Sequence, residues 1–158
     1  MKKIIFFPIE TKARELDSKL LLTFKLLQSY PSNWIIFIGY FKKIPYLWKK
    51  INTPFIVLEK GLVQDPSRYN NITKRGGKII LLDEEGGIST KSHIKNPRGS
   101  GNQKSLYFIN HIFCWGNKEK KKWIKAKNNK RLKISITGNP RMELSQKLFF
   151  YYFNKLNP

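Results

Sequence analysis

Cysteine is nearly absent from this chain, and Cys114 alone cannot form an internal disulfide framework. Histidine is almost as rare. With only His93 and His111, no Cys/His zinc spacing exists and no metal site is expected, so a reducing cytoplasm is the expected location. No apolar run approaches the ~18 residues of a membrane span. The start, Met1-Lys2-Lys3 followed by apolar residues, has the look of a secretion signal, but the run stops at Ile9 and meets Glu10, Lys12, Arg14 and Glu15 without a cleavage site. Acidic residues are scarce too: 10 Asp+Glu face 31 Lys+Arg, a net charge of +21. Such a balance attracts nucleic acid, anionic lipid or phosphorylated ligands at long range. Arginine, however, supplies only 6 of those cations against 25 lysines, beside 19 Ile, 13 Asn and 2 Ala. Lys, Asn and Ile have AT-rich codons, so genome composition accounts for much of the charge. Readers of phosphates and bases lean on the bidentate guanidinium that this chain rarely uses, which disfavours nucleic acid as a partner.

The 158 residues are one domain's worth, and 41% hydrophobic with 14% aromatic content argues for a packed core. Short Ile-, Val- and Phe-rich runs alternate with longer amphipathic segments, the pattern of an α/β, Rossmann-like domain with a mostly parallel sheet of about six strands and flanking helices. Strands are predicted over 3–8, 33–38, 55–58, 78–82, 111–115 and 132–137, helices over 12–30, 42–50, 118–127 and onward from Pro140, and a helical or irregular segment over 67–75. Leu106 to Asn110 reads as a helical turn. In the first helix Ala13, Leu16, Leu20, Phe24 and Leu27 recur at helical spacing as one stripe for burial. Gly39 is placed at a tight turn closing the second strand. Asn139 is placed as N-cap of the last helix and Pro140 at its first position. The stretch 88–104 is a long polar loop, and 148–158 an aromatic tail.

Against the basic background the carboxylates stand out. Six of the ten fall in two places, Glu10, Glu15 and Asp17 after the first strand and Asp83, Glu84 and Glu85 after the fourth. In a sheet wound in the common order 3-2-1-4-5-6, strands one and four adjoin at the topological switch point, so the two groups would face each other across a crevice. The first strand–helix turn, Pro8-Ile9-Glu10-Thr11-Lys12, lacks the Gly-x-Gly-x-x-Gly that lets backbone approach a pyrophosphate. A Walker loop is missing as well, and a carboxylate in that turn would repel phosphate. A neutral polyhydroxyl ligand suits the crevice better, because a carboxylate accepts hydrogen bonds from hydroxyls or deprotonates one as a general base. Structural roles compete with these readings. Thr11 is a good N-cap, Glu15 and Asp17 complement a helix dipole, the acidic triplet reads equally as a solvated turn, and Cys114 between Phe113 and Trp115 reads as core.

The stretch from Pro8 to Leu22 resembles the amino-terminal signature of the bacterial surface carbohydrate biosynthesis proteins, a GT-B glycosyltransferase-like family. Further pieces follow in the same order: Ile38-Gly39, Glu59-Lys60-Gly61, Gly76-Gly77-Lys78, Asp83-Glu84-Glu85-Gly86-Gly87, Trp115-Gly116 and Thr137-Gly138-Asn139-Pro140-Arg141. The resemblance implies an acceptor-side Rossmann-like domain, normally followed by a second domain that holds an activated sugar, in making capsule or lipopolysaccharide. Relatives continue past the segment matching Arg141 into that donor domain, so a single domain over 1–158 implies a glycan acceptor as partner. A nucleotide-sugar would bind only with a second domain supplied, and transferase activity alone is not expected. On this resemblance Glu10 or one of Asp83, Glu84 and Glu85 would bind the acceptor or serve as general base. Arg14 would orient a carboxylate or an acidic sugar, or pair with the acidic loop, and Arg141 would lie at the interdomain cleft. Gly39, Lys60 and Gly86 are further substrate-binding candidates, and no cofactor is implied. The rival reading is a noncatalytic module whose Lys118–Lys133 face, nine Lys/Arg with one Glu, binds anionic lipid at the inner membrane or nucleic acid. That run reads otherwise as a solvated helix face.

Overall fold

The computed structural model describes residues 2–63, 65–84, 103–126 and 131–145. The Glu85 and Gly86 candidates, most of the 88–104 loop and the 148–158 tail lie outside the described residues. The strands are β1 (Lys3–Ile9), β2 (Trp34–Tyr40), β3 (Phe55–Glu59), β4 (Gly77–Leu81), β5 (Ile109–Cys114) and β6 (Lys133–Ile136). The helices are α1 (Lys12–Ser29), α2 (Ile44–Trp48), α3 (Pro66–Lys74), α4 (Gln103–Leu106), α5 (Asn117–Ala126) and α6 (Pro140–Leu144). All strand pairs are parallel, and the fold is α/β and Rossmann-like.

The strand order is β2-β1-β3-β4-β5-β6, which corrects the expected 3-2-1-4-5-6. β3 lies between β1 and β4, pairing Ile4 with Phe55 and Val57 with Ile79. Burial explains the exchange. Phe-Ile-Val-Leu in β3 is a continuous apolar run of the kind that tolerates cover on both faces, and Phe55, Val57 and Leu58 are buried. β2 leaves Ile35 and Tyr40 exposed and takes the edge. The connections from β1 and β3 depart in opposite directions, so the switch point lies between these two strands.

The two faces of the sheet are covered unequally. On one, Ile44 and Trp48 of α2, Tyr69 and Ile72 of α3, Leu106 of α4 and Trp123 of α5 close over Phe6, Val57, Ile79, Leu81 and Ile112. Gly77 is required there, because a Cβ would stand 2.5 Å from Ile72 Cγ2 and 2.8 Å from the Phe55 ring. Cys114 is buried in this core, as expected. The other face, with Ile5, Phe7, Leu58 and Leu82, is packed by Leu22 and Leu26 of α1.

Helix α1 does not bury the expected stripe. Leu20, Phe24 and Leu27 are 44%, 61% and 37% exposed, Ala13 is also exposed, and Leu16 is only half-buried. Glu15, Ser18 and Lys19 turn inward instead. Glu15 and Lys19 have charged or polar partners at the carboxyl edge of the sheet, and satisfying them fixes the rotation of the helix. Gly39 is corrected too: it lies within β2, in register with Pro8, and closes no turn. Thr11 occupies the N-cap position of α1 without a side-chain cap. Lys104 belongs to α4, which starts inside the expected loop and replaces the helical turn expected at 106–110. Asn139 caps α6 as expected, accepting from the Arg141 N–H at 2.8 Å.

Candidate functional site

The carboxyl ends of β1, β3 and β4 and the turn before α6 carry an alternating network of charges. Glu15, one turn into α1, reaches back to accept the Glu10 N–H at 2.8 Å, which holds the β1–α1 turn closed. The bond satisfies the backbone donor of the residue just ahead of the N-cap position. Glu10 itself projects outward, its side chain 46% exposed, and pairs with Lys60 from the end of β3. Arg14 adds a cation 3.8 Å from the Glu10 carboxylate and bonds Glu15 at 2.9 Å. Among the described residues its partners are therefore in the β1–α1 turn and the first turn of α1, not in the acidic loop. Lys60 also stands 3.9 Å from Glu15.

Behind this open corner the network is buried. Lys19, fully buried, pairs with Glu84, which is 3% exposed. Burial pushes the Lys19 ammonium down to about 8. Glu15 and Glu59 pull it back up, and Arg141 pushes it further down. Glu59, at the end of β3, takes Nη2 and Nε of Arg68 at 2.7 and 3.1 Å. Burial pushes the Glu59 carboxyl up, against the opposing pull of Arg68 and Lys19.

The end of β4 is anchored by hydrogen bonds. Asp83 has φ 47°, in the left-handed region where Asp is among the better-tolerated residues. Its carbonyl accepts the Trp115 indole N–H at 2.6 Å, and its carboxylate the Trp123 indole N–H at 2.9 Å. The Glu84 N–H donates to the Lys60 carbonyl at 2.8 Å, and Asn139 Nδ2 donates to the Glu84 carbonyl at 3.5 Å. Glu10 and Glu84 thus share one edge, joined through Lys60, although their strands are not neighbours.

Of the candidates, Glu10, Arg14 and Lys60 form the solvent-facing corner. Glu84 lies in the buried tier with Arg141 near its Lys19 partner, and Asp83 faces the Trp123 indole. Gly39 makes none of these bonds, and a Cβ there would meet Ile44 Cγ1 at an ordinary 3.6 Å. Lys19, Glu59 and Arg68 were missed. A signal for Lys19 existed: Glu15, Ser18 and Lys19 continue into Leu22 and Leu26 at helical spacing, so the polar residues belong to the same inward face. Glu59 ends an apolar run, where a carboxylate reads as the strand's exit to solvent.

These cations alter the chemistry expected of the crevice. Among the described residues it is a salt-bridged edge with the outward Glu10 carboxylate between two cations, rather than a bare acidic one, and it repels phosphate less than a bare carboxylate would. Among the described residues, no group of three or more His, Cys, Asp and Glu could hold a metal ion, and no helix is long and apolar enough to cross a membrane. Comparisons with protein families, with curated proteins and with solved structures each give no match.

Proposed function

We propose that this chain is the acceptor-side Rossmann-like domain of a GT-B-like surface carbohydrate biosynthesis protein, and that it binds a polyhydroxylated glycan at the Glu10, Arg14 and Lys60 corner. The observation that carries the reading is the exposed Glu10 carboxylate at the switch point, where open α/β sheets build ligand sites. A carboxylate accepts from neighbouring sugar hydroxyls while Lys60 and Arg14 donate to ring or hydroxyl oxygens, a pairing that suits a ligand with both functions. Glu10 is also the described carboxylate best placed to take the proton of an attacking hydroxyl, the general-base role. Arg14 would favour an acidic sugar nearby. In this reading the diphosphate of a sugar donor is held by a second domain.

The test is a microarray of bacterial capsule and lipopolysaccharide oligosaccharides probed with the full chain. Binding to a defined subset, reduced at least about tenfold by Glu10→Gln, is the expected result. Binding to none, or binding indifferent to Glu10→Gln, overturns the reading. A second reading is favoured by the exposed Lys118, Lys121 and Lys125 beside exposed Ile124 on α5. It predicts sedimentation with anionic vesicles that weakens steeply with salt.

A further inference from the structure

The charges of this chain are sorted by the direction of its strands. Among the described residues, every side-chain carboxylate lies toward the edge where the strands end. Beside Glu10, Glu15, Glu59, Asp83 and Glu84, Asp65 caps α3, Glu119 and Glu143 occupy the first turns of α5 and α6, and Asp17 stands in the first third of α1. The opposite edge, where the strands begin, carries exposed cations instead. Lys3 opens β1, Lys50 precedes β3, Arg75 and Lys78 flank the start of β4, Lys104 in α4 precedes β5, and Lys133 opens β6. Codon bias explains how many lysines there are, not where they fall. Cations at helix ends complement the helix dipole, which covers Arg75 after α3, but Lys3, Lys78 and Lys133 start strands and lie outside that explanation. The residues outside the described ones hold seven Lys/Arg and a single acidic side chain, Glu85, so they cannot reverse the sign of this edge.

We propose that this amino edge of the sheet docks on an anionic lipid bilayer, laying the domain on the membrane with its carboxyl edge toward the aqueous phase. The field of the edge is not cancelled from across the sheet: β1 and β3 separate the two edges by ~16–23 Å, at least about two Debye lengths at physiological salt. Six strands spread the cations over about 24 Å, the breadth of a surface rather than of a pocket. Exposed aromatics accompany them. Tyr30 after α1 and Tyr107 before β5 are 55% and 68% exposed, and the Lys3 ammonium stands 5.4 Å over the Trp34 ring. Lysine beside tyrosine is the pairing that settles at headgroup level. Nucleic acid is the poorer match, because its readers use the guanidinium fork, and Arg75 spends its Nη1 on the Lys49 carbonyl at 3.2 Å. The inference concerns neither the glycan corner nor the lysines of α5, so it stands or falls apart from both.

The full chain is sedimented with phosphatidylcholine vesicles and with vesicles holding about 30% phosphatidylglycerol, at physiological salt. Binding to the anionic vesicles alone is the expected result, and binding to neither overturns the proposal. The triple variant Lys3→Gln/Lys78→Gln/Lys133→Gln should lower that binding at least about tenfold. Lys12→Gln/Lys42→Gln/Lys43→Gln removes the same charge from the other edge and should lower it by less than about threefold. Equal losses overturn the proposal, since net charge and not a face is then what binds. The native chain gives an independent readout on nanodiscs of the same anionic composition with spin-labelled headgroups. Amide signals of Lys3, Lys78 and Lys133 should broaden most and those of Glu10 and Lys60 least. Broadening strongest on α5 or at the carboxyl edge contradicts the orientation. Tighter binding to a single-stranded RNA, lost in the amino-edge variant, also overturns the proposal, because the partner is then a nucleic acid.

Discussion

Glu10 and Glu84 each follow a strand at one edge of one sheet, and each pairs with a lysine, yet they occupy opposite physical regimes. The Glu10–Lys60 pair is open to water, with side-chain exposures of 46% and 29%, whereas Lys19 and Glu84 are 0% and 3% exposed. Attraction between exposed charges is largely offset by solvation and screening, so the outer pair adds little stability and remains able to exchange its partner for a ligand. The inner pair is desolvated, and each charge depends on the other. Proximity to a strand end is therefore not enough to mark a binding carboxylate. The exposed corner can serve recognition while the buried tier holds the β4 loop and α1 in place beneath it.

The comparison breaks most severely at the inner pair. Glu84→Gln leaves the buried Lys19 ammonium without its direct partner and should cost about 3–5 kcal/mol in denaturant unfolding. Lys19→Met combined with Glu84→Leu should recover most of that loss, and a double variant as weak as the single one would show that the site needs charge. A smaller effect is expected from pH. The Lys19 ammonium lies at about 8 in the fold against an ordinary 10.5, so between these values the unfolded chain binds more protons. Stability of the native chain relative to Lys19→Met should accordingly rise with pH across that window, measured as the difference between paired urea titrations. A flat difference contradicts the depressed ammonium. At the outer pair, Lys60→Ala should change stability by no more than about 1 kcal/mol.

The fold was legible because apolar runs and amphipathic segments alternate cleanly: each expected strand overlaps an observed one. Strand order was not, since it depends on which run tolerates burial on both faces, and β2 and β3 look alike until Ile35 and Tyr40 are seen exposed. In the site, Glu10 could be placed from the strand end alone. Lys19 was hidden by a plausible apolar stripe, because Leu20, Phe24 and Leu27 keep helical spacing although the charges of Glu15 and Lys19 decide the helix's rotation. The cationic partners of the carboxylates were lost in a lysine-rich background, where no single lysine stands out until the fold brings it to a carboxylate.

The most direct measurement is an amide NMR titration of the full chain with an oligosaccharide selected on the glycan array. The account predicts shifts concentrated at Glu10, Arg14 and Lys60, abolished by Glu10→Gln with the rest of the spectrum intact. Shifts centred on Lys118 to Lys125 with Glu10 and Lys60 silent would contradict it.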